Sequence, residues 1–219
     1  GSVVQVSGSA TLMVADLLDA RIGGLRIDSG GRVDVGTGRL TVASGWSAAT
    51  ASVSVAAARG DGSWTRQAGV GSSAVAAAVA AGTPRAVGWL DNGDGSITFA
   101  AAALGDATLD GFVDILDAAA ITSSGAYDLP TFATWQQGDF NYDRVVDILD
   151  VADFVSTGLF DAGPVSMAGS AVAAVPEPTI AAPLALAALA ALTRGCFSRG
   201  GWKWPVGRTR GRPRESRTR

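Results

Sequence analysis

Two stretches of the chain place oxygen-bearing side chains at one repeated spacing. Residues 106–117 read Asp-Ala-Thr-Leu-Asp-Gly-Phe-Val-Asp-Ile-Leu-Asp, and residues 139–150 read Asp-Phe-Asn-Tyr-Asp-Arg-Val-Val-Asp-Ile-Leu-Asp, a gapless copy 33 positions later (139 minus 106). Both copies carry aspartate at their first, fifth, ninth and twelfth positions. Calcium takes six to eight oxygens at about 2.4 Å, and a twelve-residue loop supplies them from positions one, three, five, seven (a carbonyl), nine and twelve. The first candidate ligand set is therefore Asp106, Thr108, Asp110, the Phe112 carbonyl, Asp114 (directly or through water) and Asp117. The second is Asp139, Asn141, Asp143, the Val145 carbonyl, Asp147 and Asp150, which makes two Ca2+ ions in all. Aspartates also cap helices and solvate turns without binding metal. A single copy would leave the two explanations balanced; the gapless duplication favours metal.

Each copy has one departure from an ideal loop. Thr108 offers a neutral hydroxyl where a carboxylate or amide binds better. Arg144 stands at the sixth position, where the chain turns sharply and a non-glycine residue costs roughly 1 kcal/mol. Moderate affinities, in the range suited to a calcium-rich exterior, are expected. The duplication runs on past the loops, with residues 124–128 matching 157–161, so the repeated unit is a loop, a helix of about two turns and a glycine stop. Val113 and Val146, at the eighth positions, are expected to pair the two loops through short β contacts. Ala118, Ile121, Val151 and Phe154 fit inward helix faces.

Composition limits the alternatives. The 219 residues contain no histidine, which removes the commonest general base, zinc ligand and triad partner, and the chain is read as non-catalytic. The single cysteine, Cys196, has no partner for an internal disulfide. Nine of the 17 basic residues lie in 194–219, whereas residues 106–161 hold eleven aspartates and one base, Arg144. Such acidic density repels itself unless cations neutralise it.

The elements that must position the loops are β-rich. Leu25 and Ile27, Val33 and Val35, and Leu40 and Val42 alternate between glycine turns, giving short strands that form either a tight meander or the edge of a β-solenoid. Residues 73–81, preceded by Ser72 and ended by Gly82 and Pro84, predict a helix. Residues 85–90 and 96–100 flank Asp-Asn-Gly-Asp-Gly and predict a hairpin, in which Asp91 and Asp94 serve the turn rather than a third metal site. The expected fold is mixed: a β-rich region over 1–104, reading as the end of a larger domain, followed by a small α-helical module and a C-terminal hydrophobic helix.

On these motifs, residues 105–161 resemble a type I dockerin, in which two repeats each pair a calcium loop with a following helix. The resemblance implies that the tenth and eleventh loop positions, here Ile115, Leu116, Ile148 and Leu149, help select a cohesin-like partner. Their apolar character leaves two placements, an exposed docking patch or packing within the module or against Trp135, of which packing is preferred. After a linker over 162–175, residues 176–194 resemble a PEP-CTERM sorting signal: Pro176, Glu177 and Pro178, an apolar run over 180–192, then Arg194. That resemblance implies export to the cell surface, processing by an exosortase and membrane attachment through the C-terminal helix, with the loops outside. The basic tail over 195–219, with Trp202 and Trp204, suits a membrane surface better than nucleic acid. Two functions follow. One is a non-catalytic surface protein with a calcium-stabilised docking module; the other is the C-terminal fragment of a secreted polysaccharide-degrading enzyme whose catalytic domain lies elsewhere.

Overall fold

The computed structural model describes residues 2–66 and 68–165. The glycine-punctuated alternation folds as β1 (Val3–Val6), β2 (Thr11–Met13), β3 (Asp19–Ile27), β4 (Arg32–Asp34) and β5 (Arg39–Ser44). Every pairing among these five strands is parallel and skips one strand: Val3 lies opposite Gly24, Thr11 opposite Arg32 and Asp19 opposite Arg39. These partners are 20 or 21 positions apart. A meander would pair neighbours in sequence and antiparallel, so the solenoid alternative describes this part of the chain. Turns stack as closely as strands. Gly30, at φ +81°, has no room for a side chain, because a Cβ there would lie 2.6 Å from the Gly8 carbonyl oxygen.

The third coil is interrupted. Between β5 and β6 (Gly69–Gly71) the chain forms α1 (Ala48–Arg59), a helix not anticipated from the sequence. Its start is fixed by Ser47, whose Oγ accepts the Thr50 N–H at 3.2 Å, and its buried face is Ala51, Ser52, Val55 and Ala58. β6 then pairs in parallel with β4. The predicted second helix is α2 (Ser73–Ala80); Ser72 Oγ accepts the Val75 N–H at 3.0 Å and donates to the Gly36 carbonyl at 2.6 Å. The predicted hairpin is β7 (Ala86–Asp91) and β8 (Ile97–Ala102). β8 runs antiparallel to β5, placing Leu40 opposite Phe99, so one sheet has the order β1-β3-β5-β8-β7 and the other β2-β4-β6.

The duplicated region adds α3 (Ile115–Ser124), a single 3-10 turn (Trp135–Gln137) and α4 (Ile148–Ser156). The described residues thus form a mixed α/β fold with two sheets and four α-helices. One apolar core serves both regions. Leu109, Trp135, Phe140 and Tyr142 from the repeats are buried in the same cluster as Val42, Trp89 and Phe99 from the sheet, and burying each large side chain contributes about 1.5–3 kcal/mol. Among the described residues no helix is long and apolar enough to cross a membrane. The linker beyond residue 165, the sorting segment 176–194 and the basic tail lie outside the described residues.

Candidate metal centre

In the first five positions of each loop, polarity alternates. Odd positions carry oxygens (Asp106, Thr108 and Asp110; Asp139, Asn141 and Asp143). Even positions carry apolar side chains (Ala107 and Leu109; Phe140 and Tyr142), all buried in the core. The backbone is bent to allow this. Leu109 and Tyr142, at the fourth positions, have φ of +57° and +64°, and Gly111 and Arg144, at the sixth, have +86° and +75°. The sharp turn expected at Arg144 is present, and a non-glycine residue in this left-handed region costs about 1–2 kcal/mol.

Four hydrogen bonds recur atom for atom in the two loops. The first aspartate accepts the sixth residue's N–H (Gly111 to Asp106 Oδ2, Arg144 to Asp139 Oδ2), at 3.1 Å in each copy. The fifth accepts the seventh's N–H (Phe112 to Asp110, Val145 to Asp143), at 2.9 Å in both. Asp114 and Asp147 each cap the following helix through the eleventh residue's N–H at 2.7 Å, and each in turn donates its own N–H to the twelfth aspartate at 2.9 Å. The twelfth aspartates, buried, also reach back to the loop start. Asp117 Oδ1 accepts the Thr108 N–H and hydroxyl, both at 3.0 Å; Asp150 Oδ1 accepts the N–H groups of Phe140 at 2.9 Å and Asn141 at 3.2 Å.

One oxygen in each loop is left over. Asp106 and Asp139 are only 2 % exposed, and Oδ1 of each has no hydrogen-bond partner; they are the only carboxylate oxygens among the described residues so placed. A buried carboxylate oxygen without a partner costs free energy unless a cation or proton supplies one. Burial first, then the Asp117 charge, raises the Asp106 carboxyl to about 7. Burial, then the charges of Asp150 and Asp143, raises Asp139 to about 7 as well. Asp150 is raised in the same direction, chiefly by burial. Among the described residues no three His, Cys, Asp or Glu side chains are drawn together as a ready metal cage. The acids of each loop are instead spaced by hydroxyl, amide and carbonyl positions and held by backbone N–H groups. The donor chemistry is all oxygen, which suits a hard cation such as calcium and not zinc.

Three expectations meet a different geometry. Val113 and Val146 do not pair with each other. The Val113 carbonyl accepts the Asp161 N–H at 2.9 Å and the Val146 carbonyl accepts the Asp128 N–H at 2.8 Å, so each loop is laced to the segment that follows the other repeat's helix. The preferred packing of the apolar pairs is also corrected. Ile115, Leu116, Ile148 and Leu149 are 67, 58, 63 and 59 % exposed, while the next residue of each helix, Asp117 or Asp150, is buried with its carboxylate bonded back to the loop. Val151, expected on an inward face, is itself exposed, though with Ala118, Ile121 and Phe154 it lines an apolar cleft of about 150 Å³ between α3 and α4. In the hairpin loop, Asp91 Oδ1 accepts the Gly93 N–H at 3.0 Å and Asp94 Oδ1 the Ser96 N–H at 2.9 Å, the turn role read from sequence. Pro176, Glu177 and Pro178 lie outside the described residues.

Sequence reasoning missed the residues that seat the loops. Trp135 Nε1 donates to the Asp106 carbonyl at 2.8 Å, Tyr142 Oη donates to the Val87 carbonyl on β7 at 3.0 Å, and the Arg39 guanidinium donates to the Leu109 carbonyl. The available signal was the apolar residue at the second and fourth position of each loop, which a solvated loop has no use for. No protein-family model, curated protein or solved structure matches this chain.

Proposed function

We propose that the chain is a non-catalytic, exported surface protein whose duplicated loops bind two calcium ions and present a dockerin-like docking face. The observation that carries the calcium assignment is the pair of buried, partnerless Oδ1 atoms at equivalent positions, Asp106 and Asp139. Two copies that share four hydrogen bonds and leave the same oxygen free favour a shared ligand over ordinary helix capping. When bound, each ion would supply charge neutralisation and a staple; the side chains of Asp106, Asp110 and Asp117 would hold one and those of Asp139, Asp143 and Asp150 the other, with Thr108 and Asn141 at the third positions and the Phe112 and Val145 carbonyls at the seventh. The ninth aspartates are occupied as helix caps through one oxygen, which leaves the other free for a bridging water. Exposure of Ile115, Leu116, Ile148 and Leu149 at matching places in the two repeats supports a cohesin-like partner binding there. Export and exosortase processing rest on the sorting segment alone.

Titrating the calcium-stripped chain calorimetrically tests the first part, with two binding events and a gain of circular dichroism expected. Absence of both heat and structural change sinks it. For the second part, replacing all four apolar residues by serine should abolish capture of a cohesin domain in calcium while leaving the calcium titration intact; equal capture by the altered chain would remove the docking assignment.

A further inference from the structure

The second and fourth positions of the loops belong to the sheet as much as to the loops. β7 is the last strand of its sheet, and an edge strand exposes unpaired backbone groups. Here that edge is covered. Tyr142 bonds the Val87 carbonyl, stands edge-on to Trp64 at 5.7 Å and has the Arg59 guanidinium 5.7 Å over its ring. Trp135, itself 5.7 Å from Tyr142, bonds the Asp106 carbonyl. The fit against β7 is tight: a Cβ on Gly88 would lie 2.7 Å from Trp135 Nε1 and would collide with Leu109. Gly88 carries no loop donor and lies in the strand, so a side chain added there acts on the seating of the repeats and not on the loop oxygens.

We infer that calcium occupancy of the loops governs how firmly the β7–β8 hairpin is held on the coil stack, and that the seating on β7 tunes calcium affinity in return. The inference rests on the calcium assignment made above. The link is the alternation along each loop. Gathering the odd-position oxygens around an ion fixes the left-handed backbone at Leu109 and Tyr142, and that backbone aims the even-position side chains into the sheet. Coupling between two such events is reciprocal. The fourth loop residues are therefore positioning residues for the ion, although neither side chain carries a donor directed to it.

The test uses the full chain with calcium itself as ligand. Hydrogen exchange measured in calcium and in EDTA should show residues 86–102 losing protection about tenfold or more on chelation, as expected of a unit that opens with the loops. Gly88→Ala should lower calcium affinity about tenfold by calorimetry, within the usual range for linked sites. Tyr142→Phe, which keeps the ring and removes only the bond to Val87, should lower it by a smaller factor, and it carries the comparison if Gly88→Ala does not fold. Calcium binding with unchanged protection of residues 86–102, together with wild-type affinity in the variants, overturns the inference while leaving the calcium assignment standing. Absence of any binding heat in the unaltered chain defeats both.

Discussion

The two loops form the same framework from different side chains. Four hydrogen bonds match in length between residues 106–117 and residues 139–150, yet the second loop drives Phe140 and Tyr142 into the core where the first uses Ala107 and Leu109. The larger anchors accompany the less favourable turn, Arg144 in place of Gly111. Conserved aspartate geometry and divergent anchors show that the oxygen framework is one requirement and attachment to the sheet is another. The first fixes aspartate at the first, fifth, ninth and twelfth positions, whereas the second accepts different apolar side chains at the second and fourth.

The largest effect that tests this equivalence comes from the twelfth positions. Asp117→Ala and Asp150→Ala each strip three hydrogen bonds from a buried carboxylate, and each should cost about 4 kcal/mol in calcium by urea denaturation. A difference of several kcal/mol between them would break the equivalence. Next in size is the pH dependence of the calcium-free chain. Asp106 and Asp139 have folded-state values raised to about 7 from 3.8, so the folded protein holds more protons than the unfolded one between those limits. Their contribution is thus fully present below about pH 4 and is lost as pH rises through about 7. Denaturation in EDTA should show stability falling across that window. In calcium the trend should reverse, because ligands must be deprotonated to bind.

Smaller effects sharpen the contrast between the loops. Thr108→Asp adds the missing charged donor and should raise affinity at the first site about tenfold, read by calorimetry, with the second site unmoved. Arg144→Gly removes a side chain from a backbone at φ +75° and should stabilise the second loop by about 1 kcal/mol, visible as a raised thermal midpoint in calcium. A gain at the first loop from Arg144→Gly would mean that the two sites do not act separately.

Much of this organisation was legible in the chain, and the unread parts have physical causes. The strands around Leu25, Val33 and Leu40, the helix after Ser72 and the hairpin around Asn92 are written in local punctuation, which survives folding unchanged. The order of pairing is not local, so alternation could not separate a meander from stacked coils. Helix α1 was hidden because Val53 and Val55 alternate like a strand, while the face it buries consists of small residues with little contrast. The loops could be found because their aspartates recur at one fixed spacing. The swapped lacing of Val113 and Val146 to Asp161 and Asp128 could not, since it depends on how the two repeats are turned toward each other. Hydrophobicity alone leaves Ile115 and Leu116 open between docking and packing, because it does not say that Asp117 takes the inward place in the first helical turn.

The coils themselves have a mechanical consequence. Parallel strands stack at about 4.8 Å, so every additional turn of 20 or 21 residues laid against β1 and β2 would lengthen the molecule by that one step and leave the opposite end untouched. The N-terminal part is in effect a ruler with divisions of one coil. Insertion or deletion of a single coil would change that length by one step without redesigning either the sheet edge or the loops.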